Sequence, residues 1–182
     1  MKMTAEDVML RPLTLSDTDA LFELRRNDRT YLEPWEPRRS ESFWTFDAQQ
    51  ALIEADRRAA AEDRAYALGV FLPDEERLVG RVALSNIVRA SWQNATLGYF
   101  IGQHFTGRGL ATQAVRLVLQ VAFENLSLHR VQAAAMPRNS ASIRVLEKAG
   151  FVHEGMARRY LEINGIWEDH LLYGVTVEEW RR

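Results

Sequence analysis

The stretch Gly107-Arg108-Gly109-Leu110-Ala111-Thr112 decides how this chain is read. It joins a strand-like run, Thr96 to Ile101, to a helix-like run, Leu110 to Leu126. Two glycines flanking one arginine at such a junction lead into a first helical turn with free backbone N–H groups and the positive end of the helix dipole. A residue without Cβ lets a phosphate oxygen approach the main chain closely. The segment reads as a pyrophosphate cradle, although a glycine pair before a helix also serves as a plain tight turn.

Toward the C-terminus, Leu110, Ala114, Leu117, Val118 and Val121 recur at helical spacing and predict one apolar face. Val131 to Met136 is a short apolar strand ended by Pro137. Asn139 or Ser140 caps a helix to about Ala149, and Gly150 stands in the stop position. Phe151 to Ile163 and Ile166 to Val177 are two closing strands, and Asn164-Gly165 between them is a strong hairpin signal. Toward the N-terminus, Val8 to Leu15 reads as a first strand, and Ser16-Asp17-Thr18-Asp19 caps a helix containing Leu21, Phe22 and Leu24. Asn27 to Ser42, with Pro34, Trp35 and Pro37, is loop-like. Asp47 to Asp63 is an alanine-rich helix. Ala65 to Leu72 and Leu78 to Val88 are strands split by Pro73-Asp74-Glu75-Glu76. Strands outnumber helices and one βαβα unit lies in the second half, which predicts an α+β fold: a mixed sheet with helices on both faces. No linker or repeat interrupts the order, so residues 1–182 are expected to form a single domain.

Composition narrows the classes. The 182 residues are 47% apolar, enough for a substantial core. A formal charge of −2 and a pI near 6.1 argue against a nucleic-acid binder, which normally shows a basic face. There is no cysteine, so disulfides, zinc–thiolate sites and a cysteine nucleophile are excluded. His104, His129, His153 and His170 show no metal-ligand spacing, and no Gly-Lys-Ser or Gly-Lys-Thr follows the glycines, which argues against metal and nucleoside-triphosphatase chemistry. Met1 to Leu10 lacks the apolar run of a signal peptide, and no stretch approaches a membrane span, so a cytoplasmic protein is expected.

Three local patterns, in this order of elements, resemble the GCN5-related N-acetyltransferase (GNAT) superfamily. His104-Phe105-Thr106-Gly107-Arg108-Gly109 is similar to its phosphate-loop hallmark, with histidine where the family has glutamine or arginine. Asn139-Ser140-Ala141-Ser142-Ile143-Arg144-Val145-Leu146-Glu147-Lys148-Ala149-Gly150-Phe151 resembles its asparagine-opened helix ending in Gly-Phe. Leu97-Gly98-Tyr99-Phe100-Ile101 resembles the strand before the loop. Tyr31-Leu32-Glu33-Pro34-Trp35-Glu36-Pro37 and Tyr160-Leu161-Glu162-Ile163-Asn164-Gly165-Ile166-Trp167-Glu168-Asp169-His170 look like the RimJ branch, whose members acetylate the N-terminal alanine of a ribosomal protein.

The resemblance implies a mostly antiparallel mixed sheet in which one strand pair splays, and acetyl-coenzyme A as co-substrate. It places the pyrophosphate on the amides of Thr106, Gly107, Arg108, Gly109, Leu110 and Ala111, with the Thr112 hydroxyl nearby, and lays the pantetheine arm along Phe100 and Ile101. A backbone N–H near Phe100 would face the thioester carbonyl as an oxyanion site. Asn139 would meet the amide-rich arm. Many relatives carry a tyrosine proton donor where this chain has Leu146; Ser142 matches a serine that takes the task in Rim-type enzymes. Trp35, with Glu33, Glu36 and Tyr99, would line the groove for a cationic amine or peptide.

A base is not specified, because Thr96 stands where relatives often have glutamate; Glu33, Glu36, Glu162 and Asp169 are the available carboxylates. A peptide α-amine, with a pKa of about 7.7–8.0 against about 10.4 for lysine, costs roughly 3.5 kcal/mol less to deprotonate at neutral pH. The acceptor that the RimJ resemblance implies is a protein N-terminus, for which a weak base or a water chain would suffice. A small amine (polyamine, antibiotic or amino acid) and a non-catalytic coenzyme A sensor remain as alternatives, and monomer and homodimer both stay open.

Overall fold

The computed structural model describes residues 2–180. Its elements, in chain order, are β1 (Met3–Thr4), β2 (Met9–Arg11), α1 (Thr18–Asn27), α2 (Arg29–Leu32), α3 (Phe46–Ala61), β3 (Tyr66–Leu72), β4 (Arg77–Val88), β5 (Asn94–Ile101), α4 (Leu110–Gln120), β6 (Arg130–Ala135), α5 (Ser140–Lys148), β7 (Val152–Ile163), β8 (Ile166–Thr176) and α6 (Val177–Trp180). All strands join one sheet in the order β1-β2-β3-β4-β5-β6-β8-β7. Only β5 and β6 run parallel, as the βαβ crossover through α4 requires.

Strand alternation builds two cores. Leu68, Val70, Val79, Val82 and Leu84 face α4, together with its buried Leu110, Ala114, Leu117 and Val118. Their neighbours Phe71 and Leu78 point the opposite way and meet Leu21 of α1 and Ile53 of α3. The helices therefore cover both faces, as the sequence predicts. Each fully buried Leu or Val contributes about 1.5–3 kcal/mol, so the predicted stripe on α4 fixes that helix firmly against the sheet. Its C-terminal turn widens into a π-helical turn, Val121–Asn125. Among the described residues no helix is long and apolar enough to cross a membrane.

Two expectations need correction. The strand expected at Val8 to Leu15 is the second, after β1, and it spans only Met9–Arg11. Pro12 has no N–H to donate, and Asp17 draws the following residues into a tight turn by accepting from the Thr14 N–H and hydroxyl, both at 2.8 Å. Arg11 grips the same carboxylate through two nitrogens, at 2.8 and 2.7 Å. The segment Asn27 to Ser42 is not plain loop: α2 and a 3₁₀ turn at Glu33–Trp35 occupy it, and a second 3₁₀ turn begins at Glu41. Pieces this short carry no readable periodicity. The Asn164-Gly165 hairpin forms as predicted, with Ile163 opposite Ile166.

The feature that matters most for the site is a parted strand pair. β5 pairs with β6 only at Asn94–Arg130, Ala95–Val131 and Thr96–Gln132. Beyond Thr96 the two diverge, while β6 stays paired with β8 as far as Ala135–Leu171. The residues Leu97–Ile101 thus run free of β6 along one side.

Candidate active site

A cavity of about 530 Å³ opens at this divergence. From the residues the sequence singles out, it brings together Trp35, Tyr99, Phe100, Ile101, Thr106, Gly107, Gly109, Leu110, Ala111, Thr112, Asn139 and Ser142. Arg108 is not among its walls. Glu33 and Glu36 lie instead on a separate polar cavity of about 430 Å³, with Arg29, Glu41 and Asn164.

One end of the cavity is made of main chain. Gly107 and Gly109 have φ of 77° and 78°, in the left-handed region that favours glycine. An added Cβ at either would meet nothing within 4 Å, so the need is conformational, and the space in front of the turn is open. Gly109 caps α4 and its carbonyl accepts the first helical bond, from the Gln113 N–H at 3.1 Å. The amides of Leu110, Ala111 and Thr112 precede that bond and have no partner within the helix. Arg144 and Lys148 also line the cavity, one helical turn apart on α5. The sequence reading passes over this pair, although their i, i+4 spacing is its signal. Asp28 steadies the approach to the cradle: its buried carboxylate accepts the Gln103 N–H at 3.0 Å.

The middle of the cavity holds hydroxyls. The Asn139 side chain caps α5 by accepting the Ser142 N–H at 3.0 Å. The Ser142 hydroxyl lies 2.8 Å from the Tyr99 hydroxyl, which also reaches the Ser142 carbonyl at 3.2 Å. Burial pushes the Tyr99 phenol up to about 12, so it stays protonated at neutral pH. Leu146 is fully buried and offers no hydroxyl. Gly98 is exposed, and an added Cβ there would meet nothing within 4 Å; it leaves room beside β5 rather than serving core packing.

The third part is an arrangement of side chains from distant segments. Arg25 is 5% exposed and lies over the Phe100 ring at 4.1 Å. Its guanidinium meets the Glu36 carboxylate at 2.6 Å. Burial lowers the Arg25 pKa from its ordinary value, against the opposing pull of Glu36. The Glu36 carbonyl in turn accepts the Asn164 N–H of the β7–β8 hairpin at 2.9 Å. Trp35 is covered by Arg138 at 5.2 Å, and Arg138 is held by Glu168 at 2.6 Å.

Three of the four offered carboxylates are otherwise engaged, Glu36 by Arg25 as above. Glu33 pairs with Arg29 at 2.8 Å and Asp169 accepts the Arg159 N–H at 2.7 Å. Glu162 sits opposite Trp167 near the hairpin tip. Thr96 accepts from the Gln132 side chain at 3.3 Å. Among the described residues, no Asp or Glu walls the cavity.

A sheet that parts beside a left-handed glycine turn and a helix N-terminus is the layout that the sequence resemblance implies for an acetyltransferase. The protein-family model of the acetyltransferase (GNAT) domain matches residues 7–152, and the chain belongs to that family. It is 38% identical to the Bacillus subtilis (strain 168) protein named "Probable N-acetyltransferase YjcK", over 95% of this chain and 96% of that one. It is 34% identical to the Escherichia coli (strain K12) [Ribosomal protein uS5]-alanine N-acetyltransferase, over 98% of this chain and 92% of that one. Among solved structures, the ribosomal-protein-S5-alanine acetyltransferase of Vibrio fischeri superposes with a TM-score of 0.92 at 32% identity, covering 100% of both chains. Mycobacterium smegmatis RimJ, solved in complex with CoA-disulfide, gives 0.91 at 32% identity over 96% of this chain and 84% of that one.

Proposed function

We propose that this chain transfers the acetyl group of acetyl-coenzyme A to the α-amine of a protein N-terminus, with a ribosomal protein as the acceptor class suggested by its relatives from Escherichia coli and Vibrio fischeri. The donor's diphosphate fits the amides before the first bond of α4, with Arg144 and Lys148 as nearby cations. The pantetheine arm has hydrogen-bonding partners along the free side of Leu97–Ile101, in the manner of an added strand. A backbone N–H near Phe100 faces the thioester oxygen as negative charge develops there. The Ser142 hydroxyl faces the departing sulfur.

One observation favours an N-terminus over a lysine or polyamine: the absence of any carboxylate from the cavity walls. An amine with a pKa of about 10.4 needs a base to lose its proton at neutral pH, whereas one near 7.7–8.0 is already partly neutral. A cavity without a carboxylate suits the second. The missing cysteine excludes an acetyl-cysteine intermediate, and the proposed route is direct attack by the amine.

Release of coenzyme A thiol tests the reading across three acceptors: a peptide beginning with alanine, the same peptide with a blocked N-terminus and an internal lysine, and spermidine. Turnover is expected with the first alone. Turnover confined to spermidine would discard the peptide acceptor, and binding of coenzyme A without turnover on any amine would favour a sensor.

A further inference from the structure

We propose that Tyr99 is a positioning residue: its phenol donates to the Ser142 hydroxyl and so turns that hydroxyl's own proton toward the leaving sulfur. The inference rests on the acetyl-transfer reading above and deepens it. Two hydroxyls 2.8 Å apart share one hydrogen bond, and either can be its donor. If Ser142 donated, its proton would be spent on Tyr99 and none would face the cavity. Two features favour the opposite direction. The Ser142 carbonyl, the other acceptor within reach of Tyr99 at 3.2 Å, lies in the first turn of α5 and takes the amide four residues on in a regular helix. The shorter contact to the hydroxyl is then the better place for the phenol proton. The phenol is moreover too weak an acid to ionise at neutral pH, so it remains a donor throughout the working range.

The Ser142 backbone is fixed independently, because its N–H is held by the Asn139 side chain. Tyr99 and Asn139 thus leave Ser142 one remaining freedom, rotation of its hydroxyl, and Tyr99 sets it. In the transfer, the amine nitrogen bonds to the carbonyl carbon while the C–S bond breaks and its electron pair passes to sulfur. The nitrogen's surplus proton leaves to water. The sulfur accepts the Ser142 hydrogen bond as its charge develops and takes its final proton from water. Tyr99 neither gains nor loses a proton.

The test is a double-mutant cycle with Tyr99→Phe and Ser142→Ala, read by thiol release at saturating acetyl-coenzyme A, with coenzyme A affinity and thermal unfolding measured on each variant. Tyr99→Phe keeps the ring and removes only the hydroxyl. Its kcat is expected to fall about 2- to 12-fold, the scale of one lost hydrogen bond, with KM for acetyl-coenzyme A within about twofold of wild type. Because Tyr99 acts through Ser142, the double variant should be no slower than Ser142→Ala alone. Unchanged kcat in Tyr99→Phe, or a double variant whose loss is the product of the two single losses, overturns the assignment. A wild-type chain that releases thiol with no amine overturns the acetyl-transfer reading and this inference with it. A wild type that turns over while Tyr99→Phe matches it overturns this inference alone.

Discussion

The two ends of the cavity are built by different means. The glycine-turn end is main chain: two left-handed glycines, three amides without a helical partner and a helix dipole within six consecutive residues. The Trp35 end rests on side-chain contacts behind its wall: Arg25 lies over Phe100 and pairs with Glu36, while Arg138, held by Glu168, covers Trp35. A site made of backbone depends on conformation and tolerates loss of side chains. A site made of paired side chains fails when one partner goes. Substitutions at one end should therefore register differently from those at the other.

The largest effect is expected at the buried pair. Arg25→Met leaves the Glu36 carboxylate without its partner and should cost about 3–5 kcal/mol in a urea unfolding series. It should also raise KM for the peptide more than for acetyl-coenzyme A. The reverse pattern in KM would erase the distinction between the two ends. Next is Gly109→Ala, which forces a Cβ into the left-handed region at about 1–2 kcal/mol. Calorimetry should then find coenzyme A bound roughly tenfold more weakly, at about 1.4 kcal/mol per decade, with peptide KM little changed.

These two ends were not equally legible in the sequence. The glycine turn, the Asn139 cap and the Asn164-Gly165 hairpin are local rules, satisfied within a few residues, and each formed where expected. The apolar stripe on α4 was likewise readable, because a helix repeats its face every 3.6 residues. Arg25 was not singled out: on a predicted helix it reads as a solvated charge, and only the folded chain brings Phe100 beneath it and Glu36 beside it. Glu33 and Glu36 were legible as acids near Trp35, but their ion pairs and their place on the neighbouring cavity depend on tertiary contacts. The Tyr99–Ser142 contact, spanning 43 residues, was invisible for the same reason.

Away from the cavity, Asp17 sets a smaller expectation. Burial alone would raise its pKa, but hydrogen bonds from Arg11 and Thr14 outweigh that and leave it lowered. A carboxylate lowered in the folded state adds stability above its unfolded value, near pH 4, and loses it as pH falls through the folded value. Asp17→Asn should cost about 1–2 kcal/mol at pH 7, an amount in the range of one or two charged hydrogen bonds. That difference should shrink as pH falls through the lowered folded-state value; a constant penalty across pH would show that the charge is not its source. Smallest of all is Arg108→Ala. Its side chain is not part of the cavity wall, so coenzyme A affinity should change less than about threefold, the scale of one exposed charge.

Whether the turn 106–112 holds the donor's diphosphate through its amides is decided by calorimetric titration of acetyl-coenzyme A into the wild-type chain, Gly109→Ala and Arg108→Ala. Saturable one-to-one binding, weakened by the glycine substitution and nearly indifferent to the arginine, is predicted. No binding heat in the wild type, or an affinity that collapses with Arg108 and survives Gly109→Ala, would contradict it.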